Sequence, residues 1–456
     1  MPHQLPELKF WRHTLGALGL ELFAPLITII LAYIVQKCNG LEYDIYNDIR
    51  KQANGNIITW ISFILRSNFP SPQIMLYVLL YYLFEYALLV FVPGSQYKGP
   101  PTPTGYVPLY IKNGNLCYII NIVLFVLAYV FLKDVTSVHL IHDHITSLII
   151  SATLYGYLIT IYLYFKGIFA SYHKPDLEIT GNFIYDYYKG LEWYPSIFGV
   201  NCKQLVNCRI GMTQWALITL SYALKDFDAN GKGDLNYLCT SPVMISALLQ
   251  IIYLGKFFYW ETGYFHTMDV QHDRCGFYIT WGMCVCLFFV YTFHTGWLLA
   301  QSLQPKYHQQ IQLSWTQAVV VMISGIACIY INYASDAQKY YARMKKGECN
   351  IWGKPCKMMK AEYIDDTGKV KESYLLYSGY WGLSRHFHYV PEILSSFFWT
   401  VPTHYYSIMP YFYVIYLTIL LTDRSFRDDE RCRNKYGKHW DKYCQLVPYK
   451  IIPFLF

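Results

Sequence analysis

Long apolar runs alternate with short polar interruptions along most of this chain. The clearest lie at 15–36, 75–92, 117–132, 145–165, 243–259, 277–300, 314–333 and 405–421, and weaker ones at 56–66, 214–224 and 391–403. Several approach the ~20 residues a helix needs to cross the hydrocarbon core of a bilayer. A spanning barrel would instead show segments of alternating polarity, which are absent from the pattern. The runs therefore predict an all-α fold, a polytopic transmembrane helical bundle of about ten spans.

Composition supports this: 54% of residues are hydrophobic, 19% aromatic and 15% charged, against about 25% charged in soluble domains. The opening MPHQLPELKFWRH carries charges of both signs and precedes no short apolar core with a small-residue cleavage site. The first span is thus expected to be retained. The 13 cysteines form no CxxC pair and many fall inside apolar runs, which suits small buried hydrophobes better than a disulfide framework.

The net charge of +7 is concentrated in 339–360 and 424–450. Positive loops tend to stay on the cytoplasmic side, so an even number of crossings should separate these two. The candidates are 405–421 and the short, proline-flanked 391–403, expected to be a broken or re-entrant helix lining a protein cavity. The loop at 93–106 is rich in Pro and Gly. DFDANGKGD at 226–234 starts like a calcium loop, but the twelfth position is Tyr237 where an acidic ligand is required, so it reads as a polar turn. Charged residues enter the spans from about 240 onward. The chain thus divides into N-terminal spans and loops, 1–240, and a C-terminal part, 241–456, that should hold the chemistry within one integral membrane domain.

Three constellations carry that chemistry. Lys339 and Arg343 are four apart, and Arg424, Arg427 and Arg431 step by three and four beside Asp428, so each set shares a helix face. These could anchor the protein to anionic lipid. The interleaved Asp423, Asp428, Asp429 and Glu430 favour instead a polyanion with sugar hydroxyls, that is, a nucleotide. The second is SGYWGLSRHFHY, 378–389, which places Trp381, Arg385, His386 and His388 between apolar segments. An arginine at membrane depth needs a partner or an aqueous cavity. The third, YWETGYFHTMDVQHDRCGFY at 259–278, sets Glu261, Tyr264, His266, Asp269, His272, Asp273 and Arg274 between two spans. A metal site is not expected there or at His139, His142 and His144, because no HxxxH or HxxHH box is formed. A proton source beside an apolar pocket is the better use of these groups.

LLYSGYWGLSRHFHY resembles the sterol reductase signature, and GNFIYDYYKGLEWYPS at 181–196 resembles the second signature of that family. TMDVQHDRCGFY and the tail from Asp423 to Phe456 are similar to the family as well. His388 stands in place of the general Asn, and Tyr194 and Ser196 replace the Asn and Arg of a usual N-P-R ending. Within the family, RHFHYVPEILSSFFWTVP is most similar to the plant-type 7-dehydrocholesterol reductases, rather than to Δ14-sterol reductases or the lamin B receptor.

The resemblance implies a multi-pass endoplasmic reticulum enzyme that uses NADPH to reduce a sterol double bond, with the cofactor and sterol pockets in the C-terminal half. It places Lys339, Arg343, Trp381, Arg385, His386, His388, Arg424, Asp428 and Tyr443 at the cofactor, and Tyr264, Asp269, His272 and Asp273 toward the sterol. Tyr264 is the first candidate for proton donor and Asp428 the second, with Asp269 and His272 relaying from water. Membrane lipids, a sterol substrate and, by family analogy, a sterol 8,7-isomerase are the implied partners; no nucleic acid is expected. Three rival readings are a Δ14-sterol reductase, an isoprenylcysteine-type methyltransferase using S-adenosylmethionine, and a non-catalytic sterol-binding scaffold.

Overall fold

In the computed structural model the described residues are 8–102, 104–132, 139–364, 368 and 370–456, with the side chains of 309 and 310 set aside. Among the described residues, seven helices are long and apolar enough to cross a membrane: Phe10–Lys37 (α1), Pro72–Phe91 (α2), Gly114–Phe131 (α3), Ile145–Ala170 (α4), Pro242–Tyr259 (α6), Phe277–Ser302 (α7) and Trp315–Met344 (α8). They coincide with the first seven of the clear apolar runs, and the chain is a polytopic helical membrane protein. Met212–Asp226 (α5) covers the weaker run at 214–224. Among the described residues, strands are confined to short two-stranded antiparallel ladders. The chain forms two compact units, residues 3–312 and 313–456. The boundary in packing thus falls after Gln312, whereas the change in polarity along the sequence falls near 240.

In the first unit α7 is the central element, packed against α1 and α5. Nearly all of its side chains from Phe288 to Ser302 are buried, which explains a helix that is apolar on all sides. A polar knot forms where α3 begins. Arg209 lies 2.5 Å from Glu261 Oε1 and donates to Asn113 Oδ1 at 2.6 Å, with both charged side chains essentially without exposed surface. The Gly114 N–H donates to Glu261 Oε2 at 3.2 Å, and a Cβ there would stand 2.4 Å from that oxygen, so only glycine fits. The Asp226 carboxylate accepts from Ser241, Tyr237 and Asn230. This is the polar turn expected of 226–234.

The second unit opens with a capping box, in which Ser314 and Gln317 satisfy each other's backbone N–H at the start of α8. With 30 residues, α8 is about 45 Å long. The run at 391–403 becomes Tyr389–Thr400 (α9), followed by a 3₁₀ turn at Val401–Thr403 that contains Pro402. Its 12 residues extend only about 18 Å, short of a ~30 Å hydrocarbon core. The run at 405–421 splits into a 3₁₀ turn and the start of Phe412–Tyr436 (α10), whose second half is the charged RSFRDDERCRNKY. Lys438–Leu446 (α11) follows. The basic stretch 339–360 is not a uniform loop. It runs into a hairpin of Met358–Ile364 (β1) and Val370–Leu376 (β2), registered Met358 to Leu376 and Ile364 to Val370. One face of the hairpin buries Ala361 and Leu375 against Tyr436, Trp440, Tyr443 and Val447.

Removing one partner of a buried ion pair leaves an uncompensated charge and costs about 3–5 kcal/mol. Arg209→Ala should therefore destabilise the detergent-solubilised protein by about that amount in thermal unfolding, and so should Glu261→Gln, which leaves the Arg209 guanidinium buried without its counter-charge. An unchanged unfolding temperature in Arg209→Ala would remove the knot from the account of stability.

Candidate active site

The second unit gathers most of the predicted cofactor residues around one wall of α8. Lys339 is four residues beyond Ser335 and four before Arg343, so the three share a face. The segment after β2 turns sharply onto this face at Gly379, whose φ of 63° and close approach to Gln338 exclude a side chain. The Tyr380 N–H donates to Gln338 Oε1 at 2.9 Å, and Trp381 Nε1–H donates to the Ser335 carbonyl at 2.7 Å. The indole is thus fixed flat beside Lys339, whose Nζ stands 3.7 Å from the ring centroid. His388 lies 4.9 Å from Trp381, and His386 stacks on Tyr389 at 5.2 Å and 8°.

From the opposite side α10 presents Asp428, which continues the buried face of Leu417, Leu421 and Ser425. Its Oδ1 is 2.6 Å from Arg431, and its Oδ2 is 3.9 Å from His386 Nε2. Burial would raise its pKa, but Arg431, then His386 and Lys339, hold the carboxyl below the usual carboxylate range. Burial, with His388, Lys339 and Arg385 adding to it, pushes the His386 imidazolium down to about 3 against the pull of Asp428. At neutral pH the site therefore pairs an ionised Asp428 with a neutral His386. Among the described residues the His386 Nε2 has no hydrogen-bond partner.

Other predicted cofactor residues are differently engaged. Arg385 is buried and its Nη1 donates to the carbonyls of Val447 and Pro448 at 2.8 and 3.0 Å. Its backbone N–H donates to Tyr449, that of His386 to Lys450, and the Ser384 hydroxyl to Ile451. Asp429, one of the carboxylates the sequence offered to a nucleotide, is instead the counterion of this seam. It accepts from Trp440 Nε1 at 3.0 Å and lies within 3.7–3.9 Å of Arg385, Arg433 and Lys450. Tyr443 donates to the Leu376 carbonyl at 2.9 Å inside the hairpin core. Arg343 is exposed, with its Nε 3.3 Å from the Tyr374 carbonyl. Arg424 is half-buried, one helical turn before Asp428. The convergent group is therefore Lys339, Trp381, His386, His388 and Asp428, while Arg385 and Tyr443 brace the backbone around it.

In the first unit most of the 259–278 charges are spent on structure. Glu261 pairs with Arg209, Arg274 with Glu178, Asp273 with Lys189, and His266 with the Tyr97 hydroxyl. Tyr264 is half-buried, 5.7 Å from Phe257 and 6.3 Å from Phe265. Burial, then Cys208 and Asp269, holds its phenol well above the usual tyrosine range, so it stays protonated. Asp269 is half-buried and His272 exposed. Lys203 and Arg209 were not singled out from sequence, although two isolated cations in the otherwise buried NCKQLVNCRIG are the signal that marks them.

Arg385→Ala would strip the 447–448 carbonyls and Asp429 of a charged partner, each such bond being worth about 1.5–3 kcal/mol. It should open residues 447–456 to carboxypeptidase digestion. A variant with an intact, protected tail would refute this bracing role.

Residues 7–456 match the model of the Ergosterol biosynthesis ERG4/ERG24 family. The chain is 37% identical over 444 residues to "7-dehydrocholesterol reductase" of Arabidopsis thaliana, covering 96% of each chain. It is 34% identical to "7-dehydrocholesterol reductase" of Xenopus laevis, over 95% of this chain and 90% of the relative. Identity to "Delta(14)-sterol reductase" of Methylotuvimicrobium alcaliphilum is 29%, over 82% of each. A match across nearly the whole length, on a chain whose SGYWGLSRHFHY segment is folded onto α8 and α10, establishes that this protein belongs to the ERG4/ERG24 family.

Proposed function

We propose that this protein is an NADPH-dependent reductase of the 7,8 double bond of 5,7-diene sterols such as 7-dehydrocholesterol, working in the endoplasmic reticulum membrane. The observation that carries this reading is the near full-length similarity to relatives named 7-dehydrocholesterol reductase, at 31–37% identity. The Δ14 reading is the second, supported by a lower identity over less of the chain. The family match across 7–456 argues against the methyltransferase.

The residues of the second unit fit the cofactor. Phosphate would be held by Lys339 with Arg424 and Arg343, ring stacking by Trp381, and ribose or amide hydrogen bonds by ionised Asp428 and by His386, whose Nε2 lacks a partner. Bound NADPH supplies the hydride. A ring alkene is not electrophilic, so the protein must also deliver a proton to one of its carbons and keep water away from the resulting cationic carbon. We assign the proton to Tyr264 Oη, whose raised pKa keeps it loaded at working pH. Asp428 is ionised in its ion pair with Arg431, which suits an acceptor rather than an acid. Asp269 and exposed His272 would return a proton from water. The family resemblance also supports association with a sterol 8,7-isomerase, testable by co-purification from membranes.

Membranes holding this protein should convert 7-dehydrocholesterol and NADPH to a product gaining two hydrogens at C7–C8, identified by mass spectrometry. Conversion of a Δ14 sterol alone would favour the second reading, and binding of S-adenosylmethionine in place of NADPH would overturn both. Tyr264→Phe should lower kcat by about 10²–10⁴ with NADPH affinity nearly unchanged. Arg424→Ala should instead weaken NADPH binding by about tenfold or more, the loss of a charge-assisted contact. Normal cofactor affinity there would undo the assignment of the tail.

A further inference from the structure

Lys203 is a cation with 1% of its surface exposed, and a lysine is almost never buried without a compensating partner. Its partners are carbonyls. Nζ donates to Val270 at 2.7 Å, to Asp269 at 3.2 Å and to Asp273, so the three ammonium protons meet three backbone oxygens. Those of Asp269 and Val270 lie in the one-turn helix Met268–Gln271, and that of Asp273 follows just beyond its end. The carbonyls of Thr267 and Met268 are taken by Gln271 and His272, which leaves those of Asp269 and Val270 to an outside donor. A cation at a helix C-terminus also answers the dipole. The Tyr194 ring covers Nζ at 5.0 Å.

We propose that Lys203 is a positioning residue: its ammonium fixes the arc 264–273, and with it Tyr264, Asp269 and His272, in one conformation. The consequence for catalysis rests on the role given above to that arc. A second set of contacts pins the arc's far end to the same neighbourhood. Cys202 and Cys275 lie Sγ to Sγ at 3.7 Å, and the Cys275 N–H donates to the Glu192 carbonyl at 3.0 Å. Between the end of α6 and Cys275, Lys203 gathers the chain at three carbonyls.

The charged and titratable groups facing Lys203 are Asp269, Asp273, Cys275, Lys189 and Tyr194, and the Asp273 carboxylate is paired with Lys189. Burial, aided by Lys189 and resisted by Cys275, Asp273 and Asp269, brings the ammonium down to about 8. An unfolded lysine stays protonated to ~10.4. Between these values the unfolded chain holds the extra proton, so this group's contribution to stability rises with pH. The clamp, meanwhile, loses a charge and a donor. Activity should therefore fall above pH 8 with no matching loss of stability.

The test uses purified wild type, Lys203→Gln and Lys203→Arg. Lys203→Gln should exchange amide hydrogens faster in 264–276 but not in α1 or α8, and its kcat should drop about 100-fold, the scale of a 1 Å misplacement, with KM for NADPH unchanged. Lys203→Arg, charged at every pH used, should stay within a few-fold of wild type at pH 7 and lack the decline above pH 8. Unchanged exchange in 264–276, faster exchange everywhere, or the same alkaline decline in Lys203→Arg would each overturn the proposal. If Lys203→Gln does not fold, the pH comparison with Lys203→Arg decides. The exchange measurement needs no turnover, so it stands apart from the sterol assignment: a wild type inert on sterol would sink that assignment alone.

Discussion

A charge withdrawn from water into an apolar bundle must be given oxygen or nitrogen partners on the spot, because the alternative costs several kcal/mol. This constraint organises both units of the protein. In residues 3–312 it produces the Arg209–Glu261 knot and the three carbonyls around Lys203. In residues 313–456 it produces the seam in which Arg385 and Asp429 hold the tail against the SRH segment. Arg209, Glu261, Lys203 and Arg385 are all buried, beyond the reach of lipid or bulk water.

The same rule separates residues that shape a site from residues left available for chemistry. Arg385 and Tyr443 have spent their donors on backbone carbonyls. Trp381 has done the same with its N–H, but its ring face remains a platform for Lys339. Among the described residues His386 Nε2 has no hydrogen-bond partner, and Asp428 is held as a carboxylate by Arg431 against the opposing effect of burial. A cluster of a cation, a flat indole, a neutral imidazole and a carboxylate suits a ligand with phosphate, aromatic and hydroxyl parts. In the other unit, Tyr264 keeps its proton while its charged neighbours in 259–278 are paired off.

The sequence misled where one signal masked another. Met359–Tyr363 alternates apolar and charged positions with period two, the mark of a half-buried strand. Its first residues fall at the end of the lysine-rich 339–360, which read as a basic loop. The run at 405–421 read as a span, yet its helix starts at Phe412 and turns polar within a few turns. Lys203 looked unremarkable, and Asp429 looked like one acidic residue among several, because their decisive partners lie 11 to 70 residues away.

What the sequence determined by itself was the helical membrane architecture, seven of the eight clear runs that become long spans, and the segments where charged and aromatic residues gather. Each of these follows from local composition, from run length against bilayer thickness, or from contiguous motifs. Which buried cation is met by backbone carbonyls and which lies over an aromatic ring was decided only by tertiary structure. Lys203 and Lys339 are the same residue type on similarly apolar segments, and only packing surrounds one with carbonyls and lays the other over an indole. Hydrogen-bond saturation is a property of three-dimensional neighbours, and no pattern along the chain encodes it.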